Sequence, residues 1–335
     1  MKIDAMLSRD IRAAGDEAAT LEGGGYDGVW VGETEHDAFL QVLAAARSTQ
    51  RVTVGTAVAI AFARTPMTVA QTAFDLALYS EGRFVLGLGS QVKAHIERRF
   101  SMPWSNPAPR MREYVTALHA IWSTWQSGEK LDFRGDYYTH TLMTPFFSPA
   151  AHTYGPPPVY LAGVGEKMTE VAGELCEGFF FHPLTSARYL HEVTVPALER
   201  GRERGGRVGL EGFTVTGPAF TCVGRDEREL ADAIKGTRAQ IAFYASTPAY
   251  RGVLELHGWE ELQGELNALA RAGRWSDMGD AIDDTVLHAF AVVGAPDEVG
   301  RGLHERWSGV AERITLYTPY KVDPGVLTEV VEHAR

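Results

Sequence analysis

Two short glycine-bearing strings stand out for the chemistry they permit. Gly87-Leu88-Gly89-Ser90-Gln91 and Gly163-Val164-Gly165 each close a β-rich run, and a lysine comes soon after each, Lys93 and Lys167. Glycines at a strand end let backbone N–H groups come close to a ligand, and a helix opening after the second string would turn its positive end toward an anion. The chain has six lysines against 43 acidic residues, so two of them falling just behind glycine pairs strengthens the reading of an anion site. Neither string completes G-x-G-x-x-G, because Val92 and Met168 stand where the third glycine is needed. Tight strand-to-helix turns are the plain structural use of the same glycines.

Acid–base chemistry has three candidates. Glu33 ends an otherwise apolar run and is followed by Thr34-Glu35-His36-Asp37, while His182 ends the string Phe179-Phe180-Phe181-His182. An imidazole ordinarily titrates near neutrality, which suits His36 or His182 for moving a proton, with Glu33 and Glu35 able to orient or charge His36. Their structural uses are a solvated loop carboxylate and a buried imidazole bonded to a carbonyl. The eleven histidines show no H-x-H or H-E-x-x-H spacing, Cys176 and Cys222 form no C-x-x-C, and no G-x-S-x-G elbow occurs. A metal site, a disulfide framework and a serine nucleophile are therefore not expected.

These residues need elements to hold them. Eight β-rich runs, at 2–7, 27–33, 52–60, 84–89, 158–163, 178–182, 213–219 and 313–318, alternate with stretches of helical period. In 66–81 Pro66 suits a first helical turn and Val69, Ala73, Leu76 and Ala77 share a face; 109–126 repeats the pattern with Met111, Val115, Leu118 and Trp122. Eight such units predict a parallel sheet closed into a (β/α)₈ TIM barrel, with chemistry at the carboxyl ends of the strands. A barrel needs about 250 residues, and the excess falls into proline-rich or irregular insertions after strand four (91–108), before strand five (130–157) and before strand eight (248–285). Trp104, Tyr137, Tyr138, Phe146, Phe147 and Tyr154 make the first two aromatic, which points to an apolar or planar substrate, or to simple packing over the barrel mouth. No linker divides the chain, so residues 1–335 read as one domain.

Composition narrows the function classes. A formal charge of −11 and a pI near 5.5 argue against sequence-independent nucleic-acid binding. A hydrophobic fraction of 45% with 22% charged residues is that of a globular chain, and no apolar run reaches the ~20 residues that span a bilayer. Asp4, Arg9 and Asp10 interrupt the amino-terminal segment, which makes a cytoplasmic location the expectation.

The string Gly82-Arg83-Phe84 followed by Leu86-Gly87-Leu88-Gly89 resembles the strand-four signature of the bacterial luciferase-like flavin and deazaflavin oxidoreductases. Matches in the same order at 56–70, 109–122, 155–173 and 294–299 extend the resemblance over nearly the whole chain. The stretch IERRFSMPWSNPAPRMREY, from Ile96 to Tyr114, resembles the coenzyme F420-dependent branch. The resemblance implies a (β/α)₈ barrel with insertions that binds coenzyme F420, or alternatively FMN, at the strand carboxyl ends. It implies that Gly89, Ser90 and Gln91 meet the ring or its ribityl chain. Ala57 and Val58, joined by a cis peptide bond, would form a bulge behind the ring, and Ala162, Gly163, Val164, Gly165 and Lys167 would hold the phosphate. Some members place an acid and a histidine consecutively after strand two; here Thr34 follows Glu33, which removes the pairing they use on sugar phosphates. The expectation is a hydride-transferring oxidoreductase acting on a small molecule, with His36, Glu33 and His182 as catalytic candidates and a homodimer as its assembly. An FMN-dependent monooxygenase, a non-catalytic flavin-binding barrel and a barrel hydrolase are the alternatives.

Overall fold

A computed structural model describes residues 1–335. Eight strands form its centre: β1 (Lys2–Met6), β2 (Gly28–Val31), β3 (Thr53–Thr56), β4 (Phe84–Gly89), β5 (Val159–Ala162), β6 (Gly178–Phe180), β7 (Thr214–Val223) and β8 (Arg313–Tyr317). Each pairs in parallel with the next, and β8 returns to β1 through Lys2 opposite Arg313 and Asp4 opposite Thr315. The sheet is therefore closed, and the eight β-rich runs of the sequence are its eight strands. Eight helices wrap it: α1 (Ala14–Gly23), α2 (Ala38–Ser48), α3 (Pro66–Tyr79), α4 (Pro107–Ser127), α5 (Glu166–Leu175), α6 (Val195–Arg204), α7 (Pro296–Trp307) and α8 (Pro324–His333). This is the (β/α)₈ barrel that the alternation predicts.

Local chemistry starts the helices where they start. The Asp37 carboxylate accepts the Phe39 N–H at 2.9 Å to open α2, and Thr65 with Pro66 opens α3. Val69, Ala73, Leu76 and Ala77 of α3, and Met111, Val115, Leu118 and Trp122 of α4, are all buried, as their spacing predicts.

Inside the barrel the lower layer is ionic. Arg313 donates to both carboxylate oxygens of Asp4 at 2.7 Å, Trp30 Nε1 donates to the same carboxylate at 2.9 Å, and all three side chains are buried. Val85, Tyr160 and Phe180 pack with Trp30 in one interior cluster. Two glycines are required by this filling. A Cβ at Gly55 would stand 2.5 Å from the Trp30 ring, and one at Gly87 would collide with the Thr56 carbonyl. Gly87 is thus explained by packing.

The insertions lie in different places. Segment 91–108 carries a short helix, Lys93–Arg98, along the rim, where Arg99 donates to the Thr34 carbonyl. Segment 130–157 runs over the outer side of α3 and α4. Glu113 of α4 accepts the N–H groups of Asp136, Tyr137 and Tyr138, His152 packs on Phe74 at 4.1 Å, and Tyr154 covers Gly82 before β4. Phe146 and Phe147 are 91% and 66% exposed. Tyr137, Phe146, Phe147 and Tyr154 therefore lie on the outer surface, which corrects the expectation drawn from their composition, whereas Trp104 meets the edge of Phe62 at 6.0 Å and Tyr138 accepts a hydrogen bond from Arg110 at 2.8 Å.

The insertion before β8 begins well before residue 248. Helix Glu227–Ala245, instead of descending the flank after β7, brings Tyr244 to Tyr317 at the end of β8. It joins helices Arg251–Leu256, Glu260–Arg271 and Asp284–Phe290 in a cap with its own apolar cluster, which includes Ile241, Leu254, Leu266, Leu287 and Phe220 of β7. The flank position is filled by α7, whose Trp307 stacks on Phe181 at 5.2 Å. No helix is long and apolar enough to cross a membrane.

Candidate active site

Side chains alternate along each strand, so the interior residues Asp4, Trp30, Gly55, Tyr160, Phe180 and Arg313 fix which later positions face the barrel mouth. Counting onward in twos, from Gly87 on β4 and through Thr315 on β8, reaches Met6, Gly32, Ala57, Gly89 and Ala162 on β1 to β5, and His182 and Tyr317 on β6 and β8. The mouth is asymmetric as a result. Along β2 to β5 it offers four residues with no side chain beyond Cβ, and on the opposite side it carries large aromatic groups. Met6, at an inward position, is 37% exposed, so the small-residue side is open to solvent.

The bay is shaped by a backbone bulge. The Ala57–Val58 peptide bond is cis, as the family resemblance implies. A Cβ on Gly89 would stand 2.6 Å from Val58 Cγ2, so the bulge and the end of β4 touch across the floor of the bay. Glu33 fastens this bulge. Its carboxylate takes two hydrogen bonds from Arg64, at 2.7 and 2.8 Å, and a third from the Ile60 N–H at 2.7 Å; its side chain is 6% exposed. Arg64 also donates to Asp37 at 2.8 Å. Glu33 is thus engaged on every side by the chain that succeeds β3.

After Gly89, Ser90 is half-buried and Gln91 takes a left-handed backbone conformation, φ 58°, with its Oε1 accepting the Val92 N–H at 2.9 Å. Few non-glycine residues adopt such a conformation, and it turns the chain sharply at the edge of the bay. Next along the rim, Ala162-Gly163-Val164-Gly165 leads into α5, whose N-terminus no side chain caps. Lys167, exposed in its first turn, makes no ion pair, whereas Lys93 lies 3.8 Å from Glu97 on its own short helix. The second glycine-lysine string therefore keeps an uncapped helix N-terminus and an unpaired cation, and the carboxylate of Glu166 in the same turn is drawn to Arg200 at 3.2 Å.

The two histidine candidates are far from equivalent. His36 is exposed on the loop between β2 and α2 and makes no hydrogen bond within the protein, and its neighbour Glu35 pairs with Arg9 at 3.0 Å. His182 is stacked on Tyr250 at 4.1 Å and meets the edge of Tyr244 at 4.6 Å. Its Nδ1 accepts the Leu184 N–H at 3.1 Å, which assigns its proton to Nε2. Burial pulls its pKa down to about 3, so the ring is neutral at physiological pH. Beside it a narrow cleft lined by Gly163, Glu166, Tyr189 and Tyr250 runs toward the start of α5.

Three residues of this wall, Tyr244, Tyr250 and Tyr317, were not among the sequence-derived candidates. Tyr317 is readable, since Arg313, Thr315 and Tyr317 alternate along the last run. Tyr244 and Tyr250 come from the cap and carry no comparable signal.

A profile of the luciferase-like monooxygenase family matches residues 3–313. The chain belongs to this family. Within it, an uncharacterized Mycobacterium tuberculosis protein is 51% identical over 314 residues, covering 94% of this chain and 92% of its own. A 5,10-methylenetetrahydromethanopterin reductase from Methanolobus tindarius is 27% identical over 296 residues, covering 86% and 84%. The fold of this luciferase-like chain is shared with the coenzyme F420-dependent tetrahydromethanopterin reductase of Methanopyrus kandleri, at a TM-score of 0.80 and 20% identity over 99% of this chain and 96% of that one.

Proposed function

We propose that the protein is an oxidoreductase that moves a hydride between coenzyme F420 and a small organic molecule. The observation that carries this is the lopsided mouth: Gly32, Ala57, Gly89 and Ala162 leave a bay bordered only by the side chains of Met6 and Val58, and it ends at the uncapped start of α5 with Lys167 beside it. A flat ring fits the bay, and a phosphate attached to it fits the helix N-terminus, where free N–H groups and the helix dipole favour an anion. F420-linked names among similar proteins favour the deazaflavin over FMN.

When bound, the deazaflavin ring supplies the hydride chemistry. The chain positions it. Ala57, Val58 and Gly89 would support one face, Ser90 and Gln91 its edge, and Gly163, Val164, Gly165 and Lys167 its phosphate. Glu33 is proposed as a positioning residue that holds the bulge through Arg64 and Ile60. His182 lies opposite the bay, in reach of a molecule seated on the ring. His36, on the rim loop, is the other candidate for moving the accompanying proton.

We also propose a homodimer. Leu40 and Leu43 of α2 and Leu78 and Tyr79 of α3 are 40–58% exposed on two packed helices.

The experiment is a parallel titration of the protein with F420 and with FMN, followed by quenching of cofactor fluorescence. Saturable quenching at lower concentrations of F420 is the expected result. Preference for FMN with oxygen uptake would make it a monooxygenase, and absence of both would favour a flavin-free barrel.

A further inference from the structure

The wall facing the bay is built from three phenols and an imidazole, and the cofactor reading uses only the imidazole. Tyr317 ends β8 with its side chain in the inward series, and its hydroxyl lies 2.9 Å from that of Tyr244, lowered from the cap. Phe220 packs beneath both, 5.0 Å from Tyr317 and 6.4 Å from Tyr244. Both tyrosines are only partly buried, so the pair borders the open mouth.

Two phenols in contact share one hydrogen bond. One O–H donates to the other oxygen, and the accepting phenol keeps its own O–H to donate elsewhere. Burial holds the Tyr317 phenol far above its ordinary pKa, so the pair stays protonated and acts as a donor. His182 adds a second donor. With Nδ1 taken by the Leu184 N–H, its Nε2–H makes no hydrogen bond within the protein.

No cation touches these groups. Arg188, Arg238 and Arg251, on the segments that carry these aromatics, are paired with Glu192, Asp284 and Glu255, and the unpaired Lys235 and Lys321 of the same segments are exposed without contact to Tyr244, Tyr317 or His182. A carboxylate or phosphate placed against three tyrosines and a neutral imidazole would be stripped of water without gaining a cation. An uncharged planar molecule would instead bury its body against the Tyr250 ring and accept a hydrogen bond at its oxygen.

We propose that Tyr317, Tyr244 and His182 form the recognition site for a neutral, oxygen-bearing substrate, with the paired phenols donating to its carbonyl or hydroxyl oxygen. This rests on the cofactor reading, because the ring bay supplies the opposite wall of the pocket. It assigns the substrate class: uncharged carbonyl compounds or the matching alcohols, with an apolar or aromatic body.

The test uses the protein loaded with oxidised F420, which cannot reduce an aldehyde, and benzaldehyde carrying ¹³C at its carbonyl. Quenching of F420 fluorescence is recorded first, so failure of the cofactor reading is visible before any aldehyde is added. Isotope-edited infrared difference spectra then report the carbonyl stretch. The expected result is a bound band shifted to lower frequency, returning toward its unbound position in Tyr317→Phe and Tyr244→Phe while F420 quenching is unchanged. 4-Formylbenzoate should bind about tenfold more weakly or worse, since its carboxylate finds no partner. A protein that quenches F420 yet gives no bound or no shifted band would overturn the proposal. So would a shift that survives in the Tyr244→Phe/Tyr317→Phe double variant, or equal affinity for the charged aldehyde.

Discussion

Arg64 holds both carboxylate oxygens of Glu33, at 2.7 and 2.8 Å, and the third bond to that carboxylate comes from the Ile60 N–H, two residues past the bulge. A residue that reads as a proton carrier from its place at a strand end is, in the fold, a clamp on the floor of the bay. Removing the clamp leaves a charge without its partner. Arg64→Ala should destabilise the protein by about 3 kcal/mol, at the lower end for a broken buried pair because Arg64 keeps some solvent contact. It should also weaken F420 binding. Urea denaturation and fluorescence titration check the two effects, and a variant with normal stability and affinity would show that the clamp does not shape the bay.

The interior pair gives a contrasting expectation. Asp4→Ala leaves the Arg313 guanidinium and the Trp30 N–H without their acceptor inside the barrel. A loss of about 3–5 kcal/mol is expected. Because Asp4 lies a layer below the mouth, the F420 affinity of the folded fraction should be little changed, which separates structural from binding roles by denaturation and titration on one sample.

How far the sequence was legible depends on what each pattern can encode. The strand runs and the stripes on α3 and α4 were readable because burial on one face imposes a period. The glycines of Gly163-Val164-Gly165 marked one edge of the bay for a related reason: close approach excludes side chains. The clamp was not readable, since Arg64 lies 31 residues from Glu33 and no local pattern links them. Nor was the cap. Helix Glu227–Ala245 has the same period whether it lies on the flank or across the mouth, and only its contact with Tyr317 tells which. The aromatics of 130–157 misled because aromatic content reports burial or contact without saying against what.

Burial of His182 should be visible in stability. Its folded pKa, about 3, lies below the ordinary imidazole value near 6.5, so the unfolded chain binds the extra proton. Stability therefore rises with pH between about 3 and 6.5 and is lost on acidification. From pH 6.5 to 5 the wild type should lose about 2 kcal/mol more than His182→Phe. Denaturation of both proteins at the two pH values measures this difference, and parallel losses would mean that His182 is solvated in the native state.

Lys167→Ala should weaken F420 by about 1 kcal/mol at low salt, the scale of an exposed charge near a phosphate. Screening should erase most of that difference at high salt. Turnover at saturating cofactor should be unaffected. Equal affinity at low salt would move the phosphate away from α5.

Gly89→Ala places a methyl group 2.6 Å from Val58 Cγ2, at the floor of the bay. Val58 must shift to admit it, so F420 affinity should fall by about tenfold or more while the barrel stays folded, as overpacking by one methyl costs about 1–3 kcal/mol. Fluorescence titration with circular dichroism reads both quantities.

The most direct measurement is the difference density in crystals of the wild-type protein grown with saturating F420. The expected density is a flat ring over Ala57, Val58 and Gly89, facing Tyr317 and His182, with its phosphate at the N–H groups that open α5 beside Lys167. A ring bound elsewhere, or a bay that stays clear of density at concentrations that saturate the fluorescence, would contradict the assignment of this mouth as the cofactor site.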